Sequence, residues 1–154
     1  MPAAYAIAEA DAGKGLLPWK WANDRLTKSR NYWLSTVRPD GRPHVMPIWG
    51  VWIDNVFYFS TSPKSRKAQN LKKNPACVLM TDDAVHAVIV EGRARKISNI
   101  REVRRVDGVY YRKYKWHADP KDGPFFALRP SVVFGLIESD DFTATATRWK
   151  FGRR

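Results

Sequence analysis

Apolar residues along this chain fall mostly into strand-length blocks bounded by turn residues, and three stretches switch to helical spacing. Residues 1–15 are Ala- and Gly-rich without periodicity and are expected to form a loose arm. Pro18 opens a helix to about Arg30, with Trp19, Ala22 and Leu26 on one face; proline suits a first turn, where its missing N–H does no harm. Strand-like residues run from Tyr32 to Arg38. Pro39-Asp40-Gly41 is a turn, a return strand covers about Arg42 to Ile53, and Asp54-Asn55 turns the chain into a third strand, Val56 to Thr61. Ser62-Pro63 begins a helix with body KSRKAQNLKK, capped by Ser62 and stopped by Asn74-Pro75. Strands follow at Cys77 to Thr81 and His86 to Ile97, joined around Asp82-Asp83. A helical stretch then runs from about Asn99 to Lys115, with Gly108 as a candidate break. After the loop His117 to Pro124, strands are expected at Ser131 to Glu138 and Ala146 to Phe151. Meandering strands with few covering helices predict a mainly β fold, a small closed or partly closed antiparallel barrel, because a doubly wound sheet would alternate strand and helix.

The totals narrow the class. At 154 residues the chain suits one domain, 1–154, with one real core. Cys77 has no partner for an internal disulfide, and the N-terminus lacks a basic start and a long apolar segment, so a cytoplasmic protein is expected. The apolar runs Ala87 to Val90 and Val132 to Ile137 fall far short of the ~20 residues a spanning helix needs. A formal charge of +12 and a pI near 10.1 point to an anionic partner, with nucleic acid, phosphorylated cofactors and acidic substrates all open and plain solubility the alternative.

One segment concentrates that charge. Between Asn55 and Thr81 there is no acidic residue, while Lys64, Arg66, Lys67, Lys72 and Lys73 are all positive. The first three fall in the opening turns of the predicted helix, where the dipole already disfavours cations, and a bound phosphate would offset that cost. Thr61, Ser62 and Ser65 supply hydroxyls beside it; the alternative is a solvated helix face with Ser62 as a plain cap. Elsewhere, His44, His86 and His117 are too scattered for a metal site, and there is no nucleophile elbow, Walker loop or GxGxxG motif. Residues 93–115 carry nine Lys/Arg against two acidic residues, with interleaved tyrosines that could stack on bases in a nucleic-acid binder.

RPDGRPHVMPIWGVW, VFYFSTSPKSRKAQNL, the IVEGRARKI strand and the closing TRWKF together resemble the pyridoxamine 5′-phosphate oxidase-like superfamily, in its flavin and deazaflavin oxidoreductase branch. The resemblance covers roughly residues 18–151. It implies a six- to seven-stranded split β-barrel, a homodimer, with FMN or the deazaflavin coenzyme F-420 bound at the subunit interface. On that resemblance Val45, Met46, Pro47 and Ile48 run beside the cofactor ring, and Ser60 and Thr61 end a strand near the ribityl chain. Ser65, Arg66 and Lys67 hold the phosphate, Asn70 lies nearby, and Arg148 and Trp149 cover the ring or substrate from the closing segment. No protein nucleophile or metal is required, because hydride transfer belongs to the cofactor.

The chain departs from pyridoxamine phosphate oxidation itself, since no histidine follows His117 to complete the Arg/His pattern of a substrate-phosphate site. F-420, with its phosphodiester and acidic glutamyl tail, suits the charge, and FMN stands close behind. The expected function is hydride transfer between such a cofactor and a small organic substrate; the alternatives are a cofactor-sequestering protein without turnover and a basic nucleic-acid-binding barrel. Pro43 and Pro47 withdraw two ladder donors and would open one edge of the return strand as a cofactor wall.

Overall fold

The computed structural model describes Ala8–Glu9 and residues 16–152. In order, the elements are β1 (Ala8–Glu9), α1 (Trp19–Lys28), β2 (Tyr32–Val37), β3 (Pro43–Ile48), β4 (Val51–Ile53), β5 (Val56–Ser60), α2 (Arg66–Lys73), β6 (Ala76–Thr81), β7 (His86–Lys96), α3 (Ile100–Tyr114), β8 (Phe125–Ile137), α4 (Phe142–Thr145) and β9 (Thr147–Lys150). Most of the expected arm lies outside the described residues; Ala8–Glu9 within it pairs in parallel with Thr147 and Arg148 of β9.

The strand expected from Arg42 to Ile53 breaks at Trp49–Gly50, and that break closes the barrel. Before it, β3 pairs with β2, Ile48 opposite Tyr32; after it, β4 pairs with β5, Val51 opposite Tyr58. Since β5 pairs with β8, β8 with β7, β7 with β6 and β6 with β2, the bent β3–β4 strand joins the two ends of the circuit. The corner requires glycine: a Cβ at Gly50 would lie 2.1 Å from the Phe57 ring and 2.7 Å from the Tyr58 carbonyl oxygen.

Helix α3 holds this corner from outside. The Tyr114 hydroxyl accepts from the Gly50 N–H at 3.0 Å and lies 2.9 Å from the Gly50 carbonyl and 2.7 Å from the Arg30 carbonyl, so its one proton serves one of them at a time. Lys113 Nζ donates to the Gly50 carbonyl at 2.9 Å and to the Tyr32 hydroxyl at 2.8 Å. Trp49 stacks on Tyr114 with centroids 4.5 Å apart and planes within 6°. Burial, with the nearby Arg30 charge, lowers the Lys113 ammonium to about 8, and burial raises the Tyr114 phenol to about 12.

Two apolar clusters fill the structure. Trp19, Ala22 and Leu26 of α1 pack with Leu34, Phe57, Leu79, Val88 and Leu128, while Val106, Tyr110 and Tyr114 of α3 pack with Val51, Val56, Tyr58 and Phe125. Gly108 does not break α3, which runs unbroken through it, because the face carrying Val106, Tyr110 and Tyr114 is buried on both sides of that glycine. Strand β8 begins at Phe125, six residues earlier than expected: Phe125–Leu128 pairs with β5, and Val132–Gly135 pairs with β9. A bulge at Ser131, opposite Glu91/Gly92, directly follows Pro130, which stays in register with Gly92. The one-turn α4 has no counterpart in the periodicity.

Gly50→Ala is expected to lower unfolding free energy by about 3 kcal/mol in urea titration, because ring and backbone must both shift. Gly41→Ala, at φ 87° in an open turn, is expected to cost only about 1 kcal/mol. Lys113 predicts a pH effect: between about 8 and its ordinary 10.5 the unfolded chain holds the proton that the folded chain has released. Stability should therefore rise from pH 8 to 9.5 relative to Lys113→Met, as read from urea midpoints of both proteins.

Candidate functional site

Helix α2 starts three residues later than its sequence suggests, and the change decides what faces the site. Ser62 and Pro63 form a turn, with the Ser65 N–H donating to the Ser62 carbonyl at 3.0 Å, and Ser65 is the cap, accepting from the Ala68 N–H at 3.2 Å. The backbone is extended at Ser65, φ −65° and ψ 153°, so the helix begins at Arg66 and Lys64 stays in the preceding turn. The Ser65 hydroxyl also accepts from Thr61 at 3.0 Å. Its own proton is left to donate, and the Arg66 and Lys67 N–H groups, in the first helical turn, have no intrahelical acceptor.

Around this helix start the structure gathers cations without counterions. Lys67 is half-buried, and burial lowers its pKa. His44, on β3 opposite Thr36 of β2, is held below its ordinary 6.5 by burial and then by the charges of Arg38, Lys67 and Arg66. No carboxylate forms an ion pair with Arg38, Arg66 or Lys67 among the described residues. Two buried polar atoms there lack partners: His44 Nδ1 and Asn70 Oδ1. Asn70 is wholly buried, its Nδ2 donating to Thr36 Oγ1 at 3.0 Å, so its Oδ1 is left without a donor. Orphaned polar atoms beside unneutralised cations fit a group with both hydroxyls and an anionic end.

The other residues expected at the site divide. On β3, Val45 and Met46 are exposed, 51% and 43%, Pro47 is exposed, and Ile48 is buried. Strand alternation sets Val45 and Pro47 on one face, opposite Ser35 and Trp33, and Met46 and Ile48 on the other, opposite Leu34 and Tyr32. All four side chains therefore cannot line one ligand, although the β3 edge, with no partner strand beyond β2 among the described residues, can. Ser60 ends β5 with its hydroxyl donating to the Gly123 carbonyl at 2.6 Å, and Thr61 is buried beside Ser65.

Arg148 and Trp149 stand apart in this chain. Arg148 pairs opposite Phe134 of β8, whereas Ser60 pairs opposite Phe125, nine residues or roughly 30 Å along that strand. Trp149, expected over the ring, is a core residue: it is buried against Trp19 at 5.3 Å. The tyrosines expected to stack on bases are also mostly core, since Tyr110 and Tyr114 are buried and Tyr111 stacks on His117 at 4.1 Å. Arg38, His44 and Thr36 also stand beside this helix start, though the sequence reading does not place them there. The signal was present in PHVMP: a polar residue flanked by two prolines on an edge strand.

Beside the β3 edge, the outer sheet face is apolar and open. Trp33 is 41% exposed and lies in register with Pro47 on one side and Met80 on the other, and Met80 with Ile89 and Ile89 with Phe134 continue the row.

The chain is thus a mainly β split barrel with an open apolar face and a cationic helix start at Ser65 to Lys67. The family model described as pyridoxamine 5′-phosphate oxidase matches residues 20–135, and the chain belongs to this family. No curated protein matches the chain. Among solved structures, an F420 reductase is 26% identical over 72% of this chain and 94% of its own, with a TM-score of 0.60. A conserved hypothetical protein from Mycobacterium tuberculosis is 20% identical over 93% and 90%, with a TM-score of 0.68. A heme binding protein from Mycobacterium smegmatis is 16% identical, with a TM-score of 0.67, over 79% of this chain and 55% of its own. No helix among the described residues is long and apolar enough to cross a membrane.

The charge around His44 gives a test. The unfolded chain takes up a proton at about 6.5 while folded His44 resists it, so stability should fall as pH drops from 7.5 to 5.5. His44→Gln is expected to lessen that fall in urea midpoints. A saturating phosphorylated cofactor should raise the His44 titration midpoint in an NMR pH series.

Proposed function

We propose that the protein is an oxidoreductase that binds a flavin-type cofactor, F-420 or FMN, and transfers a hydride between it and a small organic substrate. The observation that carries this reading is the wholly buried Asn70 with an unpartnered Oδ1, set beside Lys67, Arg66 and His44, which have no carboxylate to neutralise them. A phosphate on a ribityl chain would meet both halves of that arrangement, whereas a solvated basic helix face accounts for the cations and leaves Asn70 Oδ1 unpartnered. The F420 reductase among the similar structures, with the charge of +12, favours F-420 over FMN.

When bound, the cofactor supplies the hydride or electron chemistry. The chain's part is to hold and orient it. Ser65 donates its free hydroxyl proton to the phosphate, Lys67 and Arg66 neutralise it, and the Arg66 and Lys67 N–H groups add donors along the helix dipole. Asn70 Oδ1 accepts from the linker hydroxyls, with Ser60 and Thr61 nearby, and the open β3 edge at Val45 to Ile48 offers backbone groups to the ring's polar rim. The apolar row through Trp33, Met80 and Ile89 suits a second copy of the chain, giving a cytoplasmic homodimer of single-domain protomers that encloses the ring and excludes water. In that arrangement Arg148 reaches the site from the partner subunit, while Trp149 supports it from the core.

Lys67→Ala should weaken F-420 or FMN binding by about 10- to 100-fold, in line with the ~1.5–3 kcal/mol of a hydrogen bond to a charged group. Tryptophan quenching at two salt concentrations reads the affinity, and a single-stranded oligonucleotide serves as the competing ligand. Saturable binding of oligonucleotide alone, with a steep salt slope, would sink the cofactor reading. Single-turnover oxidation of the bound reduced cofactor by candidate acceptors separates an enzyme from a carrier.

A further inference from the structure

Strand β8 changes partners midway, from β5 to β9, and the fork between them opens a groove of about 1270 Å³. Its walls include Ser35 and Val37 of β2, Phe151, one carboxylate, Glu91 of β7, and three arginines: Arg93 and Arg95 of β7 and Arg129 of β8. All three are exposed, and Arg93 and Arg129 stand directly opposite each other in the ladder, an arrangement in which like charges repel. Arg95 follows two residues along, on the same face. None of the three forms an ion pair among the described residues; Glu91, on the same face two residues before Arg93, pairs with neither Arg93 nor Arg129. Arg95 also lines a second, smaller cavity of about 400 Å³ with Lys96, and with Lys72 and Gln69 of α2. The cations thus form a track from the fork to the last turn of α2, and the groove's volume suits an extended chain better than a single compact ion.

The outer face changes character along β7 and β8, with β6 beside them at the apolar end. Met80, Ile89 and Phe134 make the outer face apolar at one end, and Arg93, Arg95 and Arg129 make it cationic at the other. Burial cannot explain this second half, because the arginines remain exposed. Solubility alone does not require two of them to face each other across a ladder.

We propose that the fork groove is a binding site for a flexible oligoanion, a chain bearing two or more carboxylates or phosphates, engaged by Arg93, Arg95 and Arg129. Guanidinium groups pair with either anion through two parallel hydrogen bonds, and charges spaced along a chain would engage neighbouring arginines at once. This site uses different residues from the helix start at Ser65 to Lys67 and does not depend on the cofactor reading.

The test titrates the full-length protein with tetraglutamate and with tripolyphosphate by calorimetry at low and moderate salt, beside the Arg93→Ala/Arg129→Ala double variant. Both substitutions are at exposed positions, and thermal melting checks that the fold survives. Wild type should bind at least one of the two probes, with an affinity that falls as salt rises, and the double variant should bind it at least 10-fold more weakly. Equal binding by wild type and variant, or no binding of either probe at low salt, would overturn the proposal. Parallel titrations with F-420 and with a deazaflavin lacking the glutamyl tail identify the source. A loss in the double variant confined to the tailed coenzyme makes the groove the seat of a cofactor extension, and an equal response with tetraglutamate binding retained in wild type makes the ligand a separate acidic molecule.

Discussion

The fold depends on the corner at Trp49–Gly50, where one strand leaves β2 and joins β5. Without it β3 and β4 would continue straight and the ends of the circuit, joined otherwise only through β8, would not meet. The corner leaves a backbone N–H and C=O outside the ladder, and burial makes those groups costly unless they are bonded. Tyr114 and Lys113 bond them, which ties α3, an element about 50 residues downstream, into barrel closure. The lysine has no carboxylate partner among the described residues, so its lowered pKa reflects desolvation and then the nearby Arg30 charge.

That bend also shapes the candidate site. Because β4 turns inward to meet β5, β3 is left as a sheet edge, and its prolines, both exposed, keep that edge from recruiting another strand. The helix start at Ser65 then lies beside the β2–β3 end through the Asn70–Thr36 bond and the charges felt by His44. Scaffold and binding chemistry are thus linked: a hidden glycine corner frees an edge, and a buried asparagine aligns a cationic helix start with it.

Much of this was legible in the sequence, for local reasons. Turn chemistry located Pro39-Asp40-Gly41 and Asp54-Asn55, where Gly41, Asp54 and Asn55 adopt positive φ, and the charge run around Lys67 marked the helix that gathers the cations. What periodicity missed depends on contacts distant in the chain. The strand interruption at Gly50 follows from the Phe57 ring, and the early start of β8 follows from its pairing with β5 through Phe125 to Leu128. Ser62 and Ser65 are both good caps by type, and only the turn made by Pro63 selects the second. Trp149 packs against Trp19, a contact between chain ends that no local pattern announces.

Whether the α2 start and the β3 edge hold one phosphorylated cofactor is decided by a crystal structure of the protein grown with F-420 or FMN. The phosphate is expected within hydrogen-bonding distance of Ser65 Oγ and Lys67 Nζ, a linker hydroxyl on Asn70 Oδ1, and the ring along Val45 to Pro47. A cofactor seated elsewhere on an intact barrel, with Asn70 Oδ1 still unpartnered, would contradict it.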